Sequence, residues 1–515
     1  MIGVIARADQ HQVVEEFFEL FKTPWEIHRS GRHYAVVIAT VDDVPDVDAD
    51  LLLHFSQGTA TSVEYRGTRL PIYGQQDPTY EQTKKETTGR VGAIRIGYNL
   101  FDEVRHLLTV GQPPEHANIP AVDLHIAMLR DQILNAGIPL VEILPTPSGH
   151  SFIACLTHDI DFIGIRNHRF DHTMWGFLYR STIVAARNLI GRKISLRRAF
   201  KTWRAAASLP FVLLGWAKDF WEPFSWYVKV ERGLPATYFL IPFKGRTGER
   251  VTGAHASRRA ARYDVSDIPG ATIATLLEAG CEIGVHGIDA WHSAQKGRDE
   301  LKRVAAVSRQ PSTGIRMHWL LQDADTPSVL EDAGYAYDSS SGFNDTIGYR
   351  SGTAQVFRPI GARGLLELPV AIQDGALFYS QRLNLSEAAA ERRCAELIET
   401  TARVGGTLTL IWHDRSHGPE RFWGDFYIRL IDRLRDAGAW FATASQAVYW
   451  FQKRRDVRFD FVTTPRGSHP CIRYNGDEIR PPLTIRVHHS SSRFSDIPWT
   501  GVSAPSIELP PAFAA

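Results

Sequence analysis

An α/β fold of parallel β/α units is the class this 515-residue sequence predicts, and three observations predict it. From Phe152 to about residue 452, short apolar runs of strand length alternate with stretches of helical periodicity, the pattern of strand–helix repeats feeding one parallel sheet. Polar residues gather just after those runs, at the expected carboxyl ends of the strands, where sheets and barrels of this kind place their sites. The composition, 44% apolar and 22% charged, is that of a globular chain. The alternation fits an open sheet and a closed barrel equally.

Two to three domains are expected, since single cores stop growing at roughly 250–300 residues. Residues 1–146 read as a small α/β domain. Ile2–Ala6, Tyr34–Ala39 and Asp50–Phe55 are strand-like, and a helical pattern runs from Asp9 to Phe21. A hairpin is expected over Val63–Ile72 around Arg66-Gly67, and Val122–Ile138 is helical in period. No Gly-rich turn follows the first strand, so no nucleotide site is expected. Docking or self-association is the role left for this domain. Pro145–Gly149 is linker-like. The repeat region covers 150–452, with strands at Phe152–Leu156, Ala236–Ile241, Glu282–Val285, just before Arg316, Leu365–Pro369 and Thr407–Trp412. Residues 453–515, rich in Pro, Ser and β-formers such as Phe459–Val462 and Leu483–Val487, read as a β-rich appendage with a loose tail. Packing against the repeat region is preferred over carbohydrate binding as its role.

The formal net charge of +1 does not suggest a nucleic-acid binder. Cys155, Cys281, Cys394 and Cys471 lie far apart and form no C-x-x-C, so neither a zinc ribbon nor a disulfide framework is indicated. The start of the chain lacks a basic segment followed by a long apolar one, and no apolar run reaches the roughly 20 residues of a membrane span. A cytoplasmic location is expected.

Five strand ends carry chemistry. Thr157-His158-Asp159-Ile160-Asp161 delivers two carboxylates to one side of an extended segment, where they repel unless a cation or proton lies between them. His286, with Asp289 and His292 in the following turn, offers imidazole and carboxylate metal ligands. Arg316, followed by His318 and Trp319, can fix a carboxylate. The stretch Asp338–Asp345 and the segment through Arg350 form a fourth polar cluster. His413 ends the apolar strand Leu408–Trp412 and is suited to acid/base work near neutrality. Together these residues point to a metal-dependent hydrolase.

The order of these clusters resembles the polysaccharide deacetylase family (carbohydrate esterase family 4). Thr157–Asp161 is similar to a D-x-D form of its first motif, Gly233-Leu234-Pro235-Ala236-Thr237-Tyr238-Phe239 to its G-x-x-A-T-F-F strand, and Glu282–His286 to its E-I-G-x-H strand. Arg316-Met317-His318-Trp319 loosely matches an R-x-P-Y element, and Leu410–Asp414 matches its closing H-D strand. The resemblance covers roughly 150–450 and implies a distorted (β/α) barrel with fewer than eight strands. It implies metal-assisted removal of an N-acetyl group from a carbohydrate, with a divalent metal, Zn2+ by expectation. By position Asp159 would be the general base, Arg316 its orienting partner and His413 the general acid. Asp161 and His286 would be metal ligands. The family's histidine four residues after the first falls on Ala290, so His292 is taken as the third ligand, with Asp289 its competitor. The His168/His172 pair is a weaker ligand candidate. Asp338 and Asp345 are both candidates for the partner of His413. Trp319, Asp338, Asp345 and Arg350 are the expected substrate contacts.

Between Asp161 and Ala236 the chain is far longer than the roughly 30 residues of a whole compact β/α unit. From Phe162 to Arg204 there are ten Lys/Arg and one acid, Asp171. The apolar stretch Ala205–Trp216 and the aromatics Phe220, Trp221, Phe224, Trp226 and Tyr227 follow. Residues 162–232 therefore read as an insertion. Three roles are open: a helical cap on the barrel, a peripheral membrane contact through 162–227, or a grip on a phosphate-bearing, lipid-linked sugar. The leading function is deacetylation of an amino sugar in a polysaccharide or its lipid-linked precursor. The alternatives are a non-catalytic carbohydrate-binding relative and a scaffold for polysaccharide assembly.

Overall fold

The computed structural model describes residues 1–515 except 57, 59, 75–91, 193, 251–259, 311, 465–466, 503–505 and 509–515; over 461–470 and 506–508 it describes the backbone alone. The loose tail expected at the end, and Lys193 among the ten cations of the insertion, lie outside the described residues.

The N-terminal unit is α/β, as its sequence pattern predicts. Strand β1 (Ile2–Ile5), helix α1 (His11–Phe21), β2 (Trp25–Ile27), β3 (Tyr34–Ala39) and β4 (Ala49–Phe55) lead to the hairpin β5 (Ser62–Tyr65) and β6 (Thr68–Pro71). Arg66 and Gly67 both take positive φ in the hairpin turn, which is why glycine sits there. Strand β7 (Gly92–Ile96), α2 (Leu100–Thr109) and α3 (Ala121–Asn135) follow. The sheet is parallel, in the order β2-β1-β3-β4-β7. The Val13, Phe17 and Phe21 face of α1 is buried beneath it. Strand β8 (Leu140–Ile143) leaves this unit to pair with the C-terminal appendage.

The second sheet organises the molecule. Strand β9 (Phe152–Ile160) does not stop at Leu156; all nine residues are buried strand. The insertion follows as α4 (His172–Tyr179), a π-turn, α5 (Ala185–Ile190) and α6 (Leu196–Leu213), then α7 (Phe224–Glu231). The repeats continue as β10 (Ala236–Leu240), α8 (Gly270–Glu278), β11 (Glu282–Gly287), α9 (Ala294–Ser308), β12 (Ile315–Met317), α10 (Thr326–Ala333) and β13 (Tyr337–Asp338). Then come β14 (Leu366–Glu367), β15 (Val370–Gln373), α11 (Asp374–Phe378), α12 (Glu387–Val404), β16 (Thr407–Ile411), α13 (Gly424–Asp436) and β17 (Ala439–Phe441). The parallel order is β14-β13-β12-β11-β10-β9-β16-β15, with β17 beside the start of β9. Its two ends, β14 and β15, belong to one stretch of chain broken only at Leu368-Pro369. The sheet therefore curls round into a distorted barrel, β14 pairing with β13 and β15 with β16.

The amino-terminal end of the barrel is plugged. Helix α14 (Ala444–Asp456) packs there, and Glu282 accepts from the backbone N of Ser445, from Thr237 Oγ1 and from the Tyr337 hydroxyl. The appendage follows as β18 (Arg458–Thr464), β19 (Gly467–Arg473), β20 (Leu483–His488), β21 (Phe494–Trp499) and β22 (Ser506–Glu508). It shares one core with α14, β8 and the barrel floor, through Val141, Ile153, Phe239, Trp450 and Ile485. Buried ties also join the N-terminal unit to the barrel. Asp123 accepts from Thr353, Ala354 and Gln355, and Arg454 donates to the carbonyls of Glu19, Leu20 and Ile143. With one end sealed, chemistry is left to the carboxyl end.

Candidate active site

Because β9 runs through Ile160, strand alternation applies to the whole D-x-D segment. Thr157, Asp159 and Asp161 take one face, and His158 the other, where its ring nitrogens lie 2.9 Å from the Trp412 carbonyl and 2.7 Å from Glu231. Arg316, at the end of β12, is fully buried under that first face. Its Nη1 donates to Asp159 Oδ1 at 3.0 Å and to Thr157 Oγ1 at 2.5 Å, while Nε and Nη2 donate to the Ser339 carbonyl and hydroxyl at 2.9 and 2.7 Å. The guanidinium plane covers the Phe239 ring at 4.4 Å. Burial would raise the Asp159 carboxyl, but Arg316, His286 and His413 hold it below the usual carboxylate range.

Asp161 sits just beyond β9, and its backbone N donates to Asp414 Oδ1 at 3.1 Å. Its Oδ1 is buried and accepts no hydrogen bond. Two imidazoles face that oxygen: His286 Nε2 at 3.5 Å and His318 Nε2 at 3.4 Å. One ligand atom from each of the three residues lies within 4.8 Å of the other two. The His286 ring is oriented from behind, its Nδ1 lying 3.1 Å from the Arg316 carbonyl. That contact leaves Nε2 free to act as a ligand. Against burial, His318 and His286 keep the Asp161 carboxyl well down, and Asp159 and Asp161 draw His286 up; burial takes His318 down to about 4.

The third member therefore differs from the sequence expectation. His292 lies 3.0 Å from Glu249 and 3.9 Å from Asp289, outside the Asp161 cluster. Asp289 is engaged by the backbone N of Glu249, so this group ties down the 249 loop. The chain leaves β11 in a turn that carries Asp289 and His292 to the rim, whereas His318 follows β12 directly, two residues beyond Arg316. His168 is paired with Asp171 at 2.8 Å and packed against Phe162 and Trp221, and His172 is exposed.

His413 follows β16. Its Nδ1 lies 2.5 Å from Asp374 Oδ1, and its backbone N donates to Asp374 Oδ2 at 2.8 Å. The Ser416 hydroxyl also donates to Asp374. Burial would lower the imidazole, but Asp374 overrides it and carries His413 up to about 10. The partner is thus neither Asp338 nor Asp345. Asp338 is buried, accepts from Ser340 at 2.5 Å, and shares its region with Glu367, burial raising it to about 6. Asp345 is exposed on the loop after β13. The sequence pattern does not expose Asp374, because Pro369 reads as the end of a strand. The chain only breaks there, and Val370–Gln373 resumes and delivers Asp374 to the same end of the barrel.

Of the expected substrate contacts, Trp319 stacks on His318 with centroids 5.4 Å apart, and both line a cleft with Ile241, Arg246, Glu249 and Ile288. Arg350 lies 5.8 Å from the Phe343 ring, and its carbonyl accepts from the backbone N of Gln112 in the N-terminal unit.

No family model matches the chain, and no curated protein is similar to it. Solved structures similar to it include polysaccharide deacetylases and other members of carbohydrate esterase family 4. One, from Mycobacterium smegmatis and assigned as a polysaccharide deacetylase, is 17% identical, with 59% of this chain and 93% of that one covered at a TM-score of 0.36. Another is the Puue allantoinase, 15% identical, covering 60% and 92% at 0.35. A third is a mutant of a CE4 family pseudoenzyme with restored activity, 12% identical, covering 59% and 69% at 0.26. At these values the likeness carries no argument about activity, which rests on the residues above.

Proposed function

We propose that this chain is a metal-dependent hydrolase that removes an N-acetyl or related acyl group from an amino sugar in a polysaccharide or its lipid-linked precursor. One observation carries the reading: Asp161, His286 and His318 bring three ligand atoms within 4.8 Å of one another, beside an arginine-held carboxylate and an aspartate-held imidazole. The donor set fits a cation, since the Asp161 oxygen is buried without a donor and His286 presents Nε2. Two imidazoles and a carboxylate suit Zn2+. A divalent ion held there would supply Lewis acidity toward the acyl carbonyl.

The chain's own groups do the rest. Asp159 is kept ionised, and Arg316 fixes its orientation, so it is the group that takes a proton from the attacking water. His413, protonated and held through Nδ1, has Nε2 to donate to the departing amine nitrogen. Trp319 offers an exposed aromatic face against which a sugar ring can stack. Incubation with N-acetylated oligosaccharides, followed by an assay for released amine, tests the reading. Release by the parent and loss in Asp161→Ala and His286→Ala support it. Sugar binding without release would instead identify a non-catalytic carbohydrate-binding protein.

We also propose that residues 162–227 meet an anionic membrane surface. Trp175, Ile183, Ile190 and Phe200 are exposed on helical segments that also carry most of the insertion's cations, and Phe170 and Trp216 are exposed in adjoining turns. Among the described residues no helix is long and apolar enough to cross a membrane, so this contact is peripheral. Co-sedimentation with anionic but not neutral vesicles, lost on charge reversal of Arg187, Arg197 and Arg204, is the expected outcome. Equal recovery with both kinds of vesicle would refute it.

A further inference from the structure

Beside the His413–Asp374 pair lies a group of cations that the proposed chemistry does not use. The Tyr379 ring carries two guanidiniums, Arg382 at 5.6 Å and Arg421 at 5.2 Å from its centroid, and Arg421 also lies 5.0 Å from the Trp423 ring. Arg415, two residues after His413, stacks on Phe162 at 3.9 Å and lies 4.9 Å from Trp221, so it faces the root of the insertion. Arg180, the first residue of the π-turn after α4, has Glu420, Arg421 and Tyr379 as its charged and titratable neighbours.

These guanidiniums are poorly satisfied. Arg382 donates one long bond, to Gln373 at 3.3 Å. The nearest acid to Arg415 is Asp414, at 4.0 Å. Arg421 and Arg180 donate no side-chain hydrogen bond among the described residues. The acids nearby are largely committed: Asp374 to His413 and Ser416, and Asp414 to the backbone N of Asp161. Three carboxylates are less firmly held: Glu420, with one oxygen accepting from Trp221 at 3.3 Å and the other unpartnered, Asp414, whose Oδ2 is unpartnered, and the exposed Asp345 near Arg382. Arg382, Arg415 and Arg421 are half-buried and Arg180 is exposed, so their open donors can pair with an anion that enters from solvent. The four guanidiniums still outnumber these carboxylates, and their paired donors suit a ligand with several anionic oxygens, such as a diphosphate, better than a single carboxylate.

We propose that Arg382, Arg415 and Arg421, with Arg180 from the insertion, form a diphosphate-binding subsite beside the catalytic centre, so that the amino sugar acted on is a glycosyl diphosphate. This rests on the deacetylase reading for what the sugar undergoes, but not for the anion site itself. Guanidinium forks pair with phosphate oxygens two at a time, and Tyr379 holds two of the forks in place. The same chemistry serves a lipid-linked and a nucleotide-linked sugar.

Calorimetric titration of the full chain with inorganic pyrophosphate is the test. Arg421→Gln and Arg382→Gln should each weaken binding about tenfold or more, the worth of a charge-assisted hydrogen bond. Arg421→Lys, which keeps the charge and loses the fork, should fall between and guards against misfolding. Arg392→Gln, an exposed cation on α12, and Asp161→Ala should bind as the parent does. Absence of binding by the parent, loss in Asp161→Ala alone, or equal loss in Arg392→Gln overturns the proposal. Amine release measured alongside keeps the two readings apart. Release from neutral acetamido sugars with no pyrophosphate binding refutes the subsite and spares the deacetylase. Arginine-dependent pyrophosphate binding with no release from any sugar does the reverse. If the subsite holds, nucleoside diphosphate and polyprenyl diphosphate sugars compared as substrates identify which source it serves.

Discussion

Replacing Asp374 by Asn separates the proposed acid from its support while keeping its shape. The Asp374 carboxylate lies 2.5 Å from His413 Nδ1 and accepts from its backbone N at 2.8 Å. Burial works to lower the His413 imidazole, and the charge on Asp374 is the leading influence that raises it to about 10. An amide retains an oxygen for the backbone donor and loses the charge, so the ring returns to about 6.5 or lower. Proton donation to the leaving amine requires the charged ring. In the parent that form persists until pH rises through about 10; in the variant it is lost as pH rises through about 6.5. The charged fraction at pH 8 then falls from nearly all to about 3%, a loss of about thirtyfold in kcat, and at pH 7 of only about fourfold. A profile of kcat against pH from 6 to 9 checks this, with circular dichroism to confirm that the variant is folded. Parallel profiles for parent and variant would refute the assignment of His413 as the acid.

Arg316→Ala leaves Asp159 buried and unpaired, and should cost about 3–5 kcal/mol in urea unfolding; a change below about 1 kcal/mol would contradict the buried pair. Gly314→Ala would place a Cβ 2.0 Å from Cζ of the Tyr337 ring under the barrel, so a loss of about 1–3 kcal/mol is expected from a thermal melt. His292→Ala should leave amine release intact and loosen the loop at Glu249, which limited proteolysis would detect as earlier cleavage there. Loss of activity without earlier cleavage would return His292 to the site.

Much of the barrel is legible in the sequence because β9, β11 and β16 are apolar runs that stop in polar residues, whereas β13, β15 and β17 are too short to stand out. Asp159, Asp161, His286, Arg316 and His413 all lie at such ends, and the structure brings them together. Turns carry the parts that the sequence pattern does not encode. The position of His292 depends on how the chain leaves β11, and no periodic pattern encodes that path. His318 carries a usable signal, since it lies two residues after an arginine at a strand end, beside the aromatic Trp319 that reads as a stacking surface. Asp374 was hidden by Pro369, which interrupts the strand that closes the barrel without ending it. In the N-terminal unit the sequence pattern does not reveal β2, β7 or α2, β2 being only three residues long and β7 and α2 following a stretch without clear periodicity. The pairing of β8 with β20 joins residues more than 300 apart, and only the assembled core specifies it.

The most direct test of the Asp161, His286 and His318 metal site is the metal content of the purified full chain, measured by mass spectrometry for the parent, His318→Ala and His292→Ala. About one divalent ion per chain is expected in the parent and in His292→Ala, with loss of that ion in His318→Ala. Retention in His318→Ala with loss in His292→Ala would contradict it.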